Sequence, residues 1–191
     1  AEAHNRAMQV CRPGMYEYQL QAELEHEFKM QGASGPAYGS IVGSGENACV
    51  LHYVENKDVM QKGDLVLIDA GAEYQGYAGD ITRTFPVSGV FSLQQKQLYN
   101  LVLKANQLAM SLTKPGVTLE ELHQASVHCL VTGLVELGLL KGEVPHLIEA
   151  EAYKTFYMHG TSHWLGLDVH DVGLYRQEGQ ARLLEPGMVF T

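Results

Sequence analysis

The two halves of this sequence repeat one order of elements, and this repeat restricts the possible fold more than any other feature. Each half runs through a helix, a short basic-Pro-Gly segment, a second helix and a group of strands. The Pro-Gly segments occupy residues 12–14 and 114–116, an offset of 102. A duplicated unit in which helices precede strands favours an α+β fold, with an antiparallel or mixed sheet, over alternating βαβ units.

A second match between the halves lies later in each. Residues 62–67 resemble residues 185–190, and aligning Gly63 with Gly187 gives an offset of 124. The 22 extra residues of the second half are predicted to lie in the connection 139–157.

Four amphipathic helices are predicted from apolar residues at helical spacing. The first ends before residue 12, and the second ends near Gly32. The third and fourth begin with capping-box sequences at residues 92–95 and 118–121. We interpret the apolar stripes of all four as core. These stripes comprise Leu20, Leu24 and Phe28 in the second helix, Leu98, Leu101, Val102, Ala105, Leu108, Ala109 and Leu112 in the third, and Leu122, Cys129, Leu130 and Leu137 in the fourth.

Strands are predicted between and after the helix pairs, with a glycine-rich hairpin loop over residues 71–79. The predicted strands are 41–42, 48–53, 65–70, 80–87 and 188–191.

Two aspartates on adjacent predicted strands give the first indication of chemistry. Asp69 and Asp80 each lie beside β-branched or leucine-rich sequence, where an ionised carboxylate is costly unless it is paired, hydrogen-bonded or bound to metal. Two neighbouring carboxylates repel each other, so a cation between them is expected. Projected by 124, Asp69 corresponds to a position two residues beyond Thr191, where we expect a matching metal carboxylate.

A histidine-rich segment over residues 158–171 supplies the second group of candidates. His159, His163 and His170 lie among glycines, which indicates a loop or strand lining a site rather than the helix of a zincin. His52 is a fourth candidate, and the remaining histidines are given no role. Carboxylate and imidazole ligands together suit manganese, iron, cobalt or zinc, and two such ions would favour hydrolysis, with an amide as the expected substrate.

Composition excludes several other functions. The chain has 22 acidic and 13 scattered basic residues, for a net charge of −9, so neither nucleic acid nor an anionic membrane is an expected partner. There is no apolar run long enough to span a membrane and no signal-peptide pattern. The three cysteines have no CxxC spacing, so we expect free thiols in a cytoplasmic protein. Residues 1–191 are predicted to form one catalytic domain.

The sequence resembles the pita-bread metallopeptidases along its whole length, and among them the bacterial Xaa-Pro aminopeptidases. The resemblance is carried by residues 41–47, 51–53, 69–85 and 159–171. It implies a duplicated pita-bread fold, two divalent metal ions, and cleavage of peptides whose second residue is proline. Manganese is the expected ion, with cobalt, zinc and iron also compatible. The full-length protein is expected to be a homo-oligomer.

The resemblance also assigns roles to individual residues. It implies that Asp69 binds one metal, that Asp80 bridges both, and that His163 binds the other. His52, His159 and His170 are implied to line the substrate site. Two glutamate ligands and an amino-terminal domain of the family have no counterpart in this sequence. We therefore expect a catalytic domain incomplete at its C-terminal end, with weak metal affinity and no useful activity as a 191-residue piece.

Three alternatives stay open. A prolidase or a methionine aminopeptidase would use the same three ligands, so these residues do not distinguish them. A pita-bread module that binds peptides without cleaving them is the alternative from another class, and it would be expected to lose the ligands that this sequence keeps.

Overall fold

The computed structural model describes residues 1–191, which divide into two compact units. The first unit comprises residues 1–92 and 165–171, and the second comprises residues 93–164 and 172–191. No helix in either unit combines the length and the apolar character that crossing a membrane requires.

The first unit begins with two packed helices, α1 (Glu2–Val10) and α2 (Glu17–Met30). Leu20, Leu24 and Phe28 are buried along α2 as predicted, because their spacing places them on one face. The carboxylate of Glu17 lies on the same face and is fully buried.

Two small antiparallel sheets follow in the first unit. The strands β2 (Ile41–Ser44), β3 (Leu65–Asp69) and β6 (Thr82–Pro86) form one sheet with β3 in the centre, which confirms three of the predicted strands. The predicted hairpin loop 71–79 is itself paired. It contains β4 (Ala72–Tyr74) and β5 (Tyr77–Ala78), which form the second sheet with β1 (Gly35–Pro36).

The predicted strand over residues 48–53 is wrong. Residues Gly45–Cys49 form a 3-10 helix, and turns follow it. The buried Glu17 carboxylate supplies the acceptors that a neighbouring strand would otherwise provide. Its donors are Ser44 N and Oγ, Asn47 Nδ2, Tyr53 OH and Asp58 N, at 2.7–3.2 Å.

The second unit is built on the helices α3 (Leu93–Leu112) and α4 (Leu119–Glu136), which pack together. The predicted capping box of α4 is present: Glu121 N donates to Thr118 Oγ1 at 3.1 Å, and Thr118 N donates to Glu121 Oε2 at 2.7 Å. The connection 139–157 contains α5 (Val144–Glu149) and a 3-10 turn at Ala152–Thr155.

The predicted core stripe of α3 is only partly buried. Ala105 and Ala109 are buried, whereas Leu98, Val102 and Leu112 are 40–54% exposed. Ala105 and Ala109 lie on the contact line together with the partly buried Leu101 and Leu108, whereas the other large side chains of the stripe stay at the surface. A side chain on Gly133 of α4 would meet Leu101, so this helix pair is already tightly packed there.

The predicted strand at 188–191 is reduced to one isolated bridge between Phe190 and Trp164. The regular strands of this unit are β7 (Arg176–Gln177) and β8 (Gln180–Ala181), which pair only with each other. Residues 188–191 therefore have a partner on one side only, whereas β3, their counterpart in the repeat, is paired on both.

The repeat itself is confirmed by matching hydrogen bonds. Gly14 N donates to Met60 O at 2.9 Å, and Gly116 N donates to Leu184 O at 2.9 Å. Both glycines have a φ of +89°, which few other residues adopt without strain. The offsets of 102 and 124 found in the sequence therefore align structurally equivalent positions.

Candidate active site

The two predicted carboxylate ligands lie at one end of the central sheet. Asp69 is the last residue of β3, and Asp80 lies just before β6, with the β4–β5 hairpin between them. Asp69 pairs with Thr82 in the antiparallel register, so the two strands bring Asp80 back beside it. The hairpin turns at Gln75 and Gly76, both with positive φ, a conformation that suits a two-residue hairpin.

A close approach of two backbone segments fixes the separation of the carboxylates. A Cβ atom added to Gly71 would lie 1.6 Å from the carbonyl oxygen of Gly79 and 2.8 Å from Asp80 N. Because backbone atoms cannot yield as a flexible side chain can, residue 71 must be glycine for Asp69 and Asp80 to lie at this spacing.

The hydroxyl of Tyr38 joins the two carboxylates. It lies 2.5 Å from Asp69 Oδ1 and 3.0 Å from Asp80 Oδ1, so one phenolic proton serves both. Sequence analysis did not identify Tyr38, because it comes from a loop more than 30 residues away and belongs to no periodic pattern.

The surroundings of Asp69 and Asp80 disfavour having both carboxylates ionised at once. Burial raises the pKa of Asp69, and the charge of Asp80 raises it further. Hydrogen bonds from Tyr38 and Thr82, and the charge of His52, act in the opposite direction. Burial also raises the pKa of the Tyr38 hydroxyl, which stays protonated between the two carboxylates. Both carboxylates are hard oxygen donors and converge on one point. Because their negative charges repel each other when both are ionised, a divalent cation between them would stabilise the pair.

No third His, Cys, Asp or Glu side chain within the first unit joins this pair closely enough to complete a metal site.

His52 is placed by the loop that Glu17 organises. It is an exposed residue with a φ of +56°, a left-handed conformation that few residues other than glycine adopt. The hydrogen bonds of Glu17 lie on both sides of it in sequence, at Ser44 and Asp58, so they hold the loop in which this backbone occurs. The spacing of Glu17 from Leu20 along α2 was a signal for this buried carboxylate that sequence analysis did not use.

His170 belongs to the 165–171 loop of the first unit and is exposed. Ala78 N of β5 donates to Gly166 O at 2.8 Å, which attaches this loop to the hairpin between the two aspartates.

The two remaining histidines belong to the second unit, and backbone carbonyls select their tautomers. His163 Nδ1 lies 3.0 Å from Trp164 O, and His159 Nδ1 lies 2.8 Å from Gly160 O. A carbonyl can only accept, so each Nδ1 carries the proton. In the neutral rings Nε2 then holds the lone pair, which is the arrangement a metal-ligating histidine requires.

Comparison with known proteins identifies relatives along the whole chain. The model of metallopeptidase family M24 matches residues 1–191. The Xaa-Pro aminopeptidase of Escherichia coli is 57% identical over all 191 residues, and the human Xaa-Pro dipeptidase is 39% identical over 98% of the chain.

Solved structures agree with this result. The aminopeptidase PepP of Pseudomonas aeruginosa superposes with a TM-score of 0.98 and 59% identity over the whole chain. Zinc-substituted aminopeptidase P of Escherichia coli in complex with product superposes with a TM-score of 0.96 and 57% identity over 99% of the chain.

The chain spans 43% of the length of the Escherichia coli enzyme and 43% of the Pseudomonas aeruginosa structure. The predicted α+β pita-bread fold is confirmed by these superpositions together with the match of the family model. The chain belongs to metallopeptidase family M24.

Proposed function

We propose that this chain carries part of the active site of a metal-dependent Xaa-Pro aminopeptidase, which releases the first residue from peptides with proline in the second position. The observation that carries the proposal is the convergence of Asp69 and Asp80 on one point, marked by the Tyr38 hydroxyl. The identity to Xaa-Pro aminopeptidases over the whole chain supports the proline specificity.

Asp69, Asp80 and His163 are the residues that would hold the metal. The aspartates offer Oδ1 atoms at one point, and the Nδ1–H bond from His163 to Trp164 O leaves Nε2 as the ligating nitrogen. Two divalent ions, when bound, lower the pKa of a water molecule and polarise the scissile carbonyl. Because two of these three ligands are carboxylates, manganese is the favoured ion, with cobalt, zinc or iron as substitutes.

His52, His159 and His170 contribute to the substrate site in this proposal. Their side chains are exposed, so each can meet a peptide without first being uncovered. His159 donates its Nδ1 proton to Gly160 O, which orients Nε2 as an acceptor in the neutral ring and as a donor in the charged ring. Hydrogen bonds from such rings to the peptide around proline would position the scissile bond.

The cellular setting completes the proposal. The partners are peptides, and the protein acts in the cytoplasm as a homo-oligomer. All three cysteines are unpaired, and one of them, Cys49, is exposed, which suits a reducing compartment.

A prolidase is the second candidate, because the human Xaa-Pro dipeptidase shares 39% of the aligned residues. The two candidates differ in the product that each peptide yields. In the native protein that contains this sequence, we expect release of the first residue from Ala-Pro-Ala and no comparable release from Ala-Ala-Ala. Hydrolysis of Ala-Pro with no action on Ala-Pro-Ala would favour the prolidase, and no hydrolysis with any added metal would favour a binding module.

Calorimetric titration with Mn²⁺ tests the metal site in the 191-residue chain. We expect weak binding that the Asp80→Asn variant loses, with Asp64→Asn as the matched control. Tight binding of two ions per chain would contradict the expected weak affinity. Equal binding by wild type and Asp80→Asn would contradict the assignment of Asp80.

A further inference from the structure

The segment that carries His159 and His163 has no regular backbone pairing between residues 157 and 163. Side-chain hydrogen bonds, together with single backbone bonds at its ends, therefore fix its conformation. At its end, His163 N donates to Thr191 Oγ1 at 3.2 Å, and Thr191 N donates to His163 O at 3.0 Å. In its middle, the hydroxyl of Thr161 is the anchoring group.

Thr161 is held from two sides. Its Oγ1 lies 2.9 Å from Nδ1 of His123 and 2.6 Å from the hydroxyl of Tyr157. His123 lies in the second turn of α4, next to the buried Leu122 and two residues after Glu121 of the capping box, so it offers a rigid point of attachment. The sequence alone gave His123 no role.

The donors and acceptors of the hydrogen bonds that link Tyr157, Thr161 and His123 can be assigned in only one way. Burial lowers the pKa of His123, and the charges of His159 and Lys154 lower it further, so the ring is neutral near pH 7. Burial raises the pKa of Tyr157, which keeps its proton. Tyr157 then donates to Thr161 Oγ1, and Thr161 donates to Nδ1 of His123, which leaves the His123 proton on Nε2.

Aromatic contacts extend the group to His159. The rings of Tyr157 and His159 meet edge to face with centroids 4.7 Å apart, and the rings of His123 and Tyr157 lie 5.8 Å apart. A displacement of Thr161 or Tyr157 would therefore change the position of His159, although His123 itself forms no hydrogen bond with that residue.

We propose that His123 is a positioning residue, which, through the hydroxyl of Thr161, holds the backbone between His159 and His163 in the orientation that the site requires. This proposal rests on the proposed function for the significance of His159 and His163. The geometric statement, that His123 controls the conformation of residues 159–163, stands by itself.

The test uses nuclear magnetic resonance on the isotope-labelled 191-residue chain without metal or substrate. His123→Phe keeps a ring and removes the hydrogen bond, Thr161→Val removes the hydroxyl from the other side, and His123→Asn keeps a polar group near the position of Nδ1. His128→Phe, on the exposed side of the same helix, is the matched control.

We expect His123→Phe and Thr161→Val to shift the Cε1–Hε1 resonance of His159 more than His128→Phe does. We also expect exchange of the His163 amide to speed up roughly three- to tenfold, as loss of one hydrogen bond allows. The double variant should match the single ones, and His123→Asn should restore both readouts.

The proposal would be overturned if His123→Phe left the His159 resonance and the exchange rate of the His163 amide as they are in the wild type. Additive effects of the two substitutions in the double variant would also overturn it. If His123→Phe does not fold, Thr161→Val decides alone, because its site lies outside every helix and strand. Neither readout needs metal, so failure of Mn²⁺ binding would count against the proposed function and leave this result intact.

Discussion

The two halves of the chain share their turns and helix caps, yet only one of them builds a sheet around carboxylates. Tyr16 N donates to Gln19 Oε1 at 2.9 Å in the first half, and Thr118 N donates to Glu121 Oε2 at 2.7 Å in the second. Isolated bridges between residues 16 and 59 and between residues 118 and 183 repeat the same arrangement. The shared features depend on short local sequences.

The differences between the halves depend on longer-range contacts. The first half has a buried carboxylate at Glu17, where the second half has Leu119 at the same offset of 102. The first half also has Gly71, which packs against the backbone of Gly79, whereas Gly133 of the second half packs against the side chain of Leu101. The comparison indicates that the repeat provides the frame, while the chemistry comes from residues that are not repeated.

The largest loss of stability is expected from a substitution at Gly71, where two backbone segments approach most closely. Gly71→Ala should destabilise the first half by more than about 4 kcal/mol, because the new Cβ would overlap the Gly79 carbonyl. In the second half, Gly133→Ala meets only the Leu101 side chain and should cost about 1–3 kcal/mol. Urea unfolding measures both. Gly39→Ala, with its nearest neighbour 4.0 Å away, is the control, and equal losses in all three would refute the distinction.

Replacing Glu17 by the residue of the other half tests the second difference. Glu17→Leu should lower the free energy of unfolding by about 3–5 kcal/mol, because the donors Ser44 N, Tyr53 OH and Asp58 N lose a buried charged acceptor. Glu23→Leu on the same helix removes only a surface pair with Arg6 and should cost about 1 kcal/mol or less. Similar losses for the two variants in urea unfolding would contradict this account.

Acid should weaken the first half through His4. Burial lowers the pKa of this histidine to about 4, and Nε2 donates to Ile81 O at 2.9 Å, while Nδ1 has no hydrogen-bond partner. The unfolded chain binds a proton near pH 6.5 that the folded chain does not, so stability falls as pH drops from 6.5 to 4, by about 3 kcal/mol.

The corresponding position in the second half, Asn106, does not titrate. His4→Gln should therefore reduce the acid slope of urea unfolding measured between pH 7 and pH 4.5. The control His128→Gln, an exposed histidine, should retain that slope, and an unchanged slope in His4→Gln would assign the effect to other groups.

The smallest expected effect has the opposite sign. Asp69→Asn should stabilise the metal-free chain at pH 7, because burial and the charge of Asp80 raise the pKa of Asp69 and penalise its ionised form. That penalty is absent below pH 4 and grows as pH rises through the raised pKa, so the gain should vanish in acid. Thermal unfolding at pH 7 and pH 3.5 measures it, with Asp64→Asn as the control. A loss of stability at pH 7 would contradict the electrostatic argument.

Sequence alone predicted what depends on local pattern. The helix pairs, the sheet strands and the carboxylate pair were visible because apolar spacing and charged residues in β-branched surroundings are local signals. The offset repeat also predicted equivalent turns, which the Gly14 and Gly116 hydrogen bonds confirm.

The remaining features depend on partners that are distant in the sequence. Residues 48–53 have strand-like composition, but Glu17 holds them in a 3-10 helix and turns. Tyr38 contacts the aspartates from another loop, and His123 contacts the histidine segment from a helix. No periodicity marks such side chains, because their role arises only when the chain has folded.

The contact between Gly71 and Gly79 has a consequence for engineering the ion preference of the proposed metal site. The spacing of Asp69 and Asp80 is set by main-chain packing, with no side chain between the two segments to be trimmed or enlarged. Substituting neighbouring side chains should therefore adjust which donor atoms are offered while leaving the gap between the carboxylates nearly constant. Accommodating an ion of different radius would instead require a β4–β5 hairpin of different length.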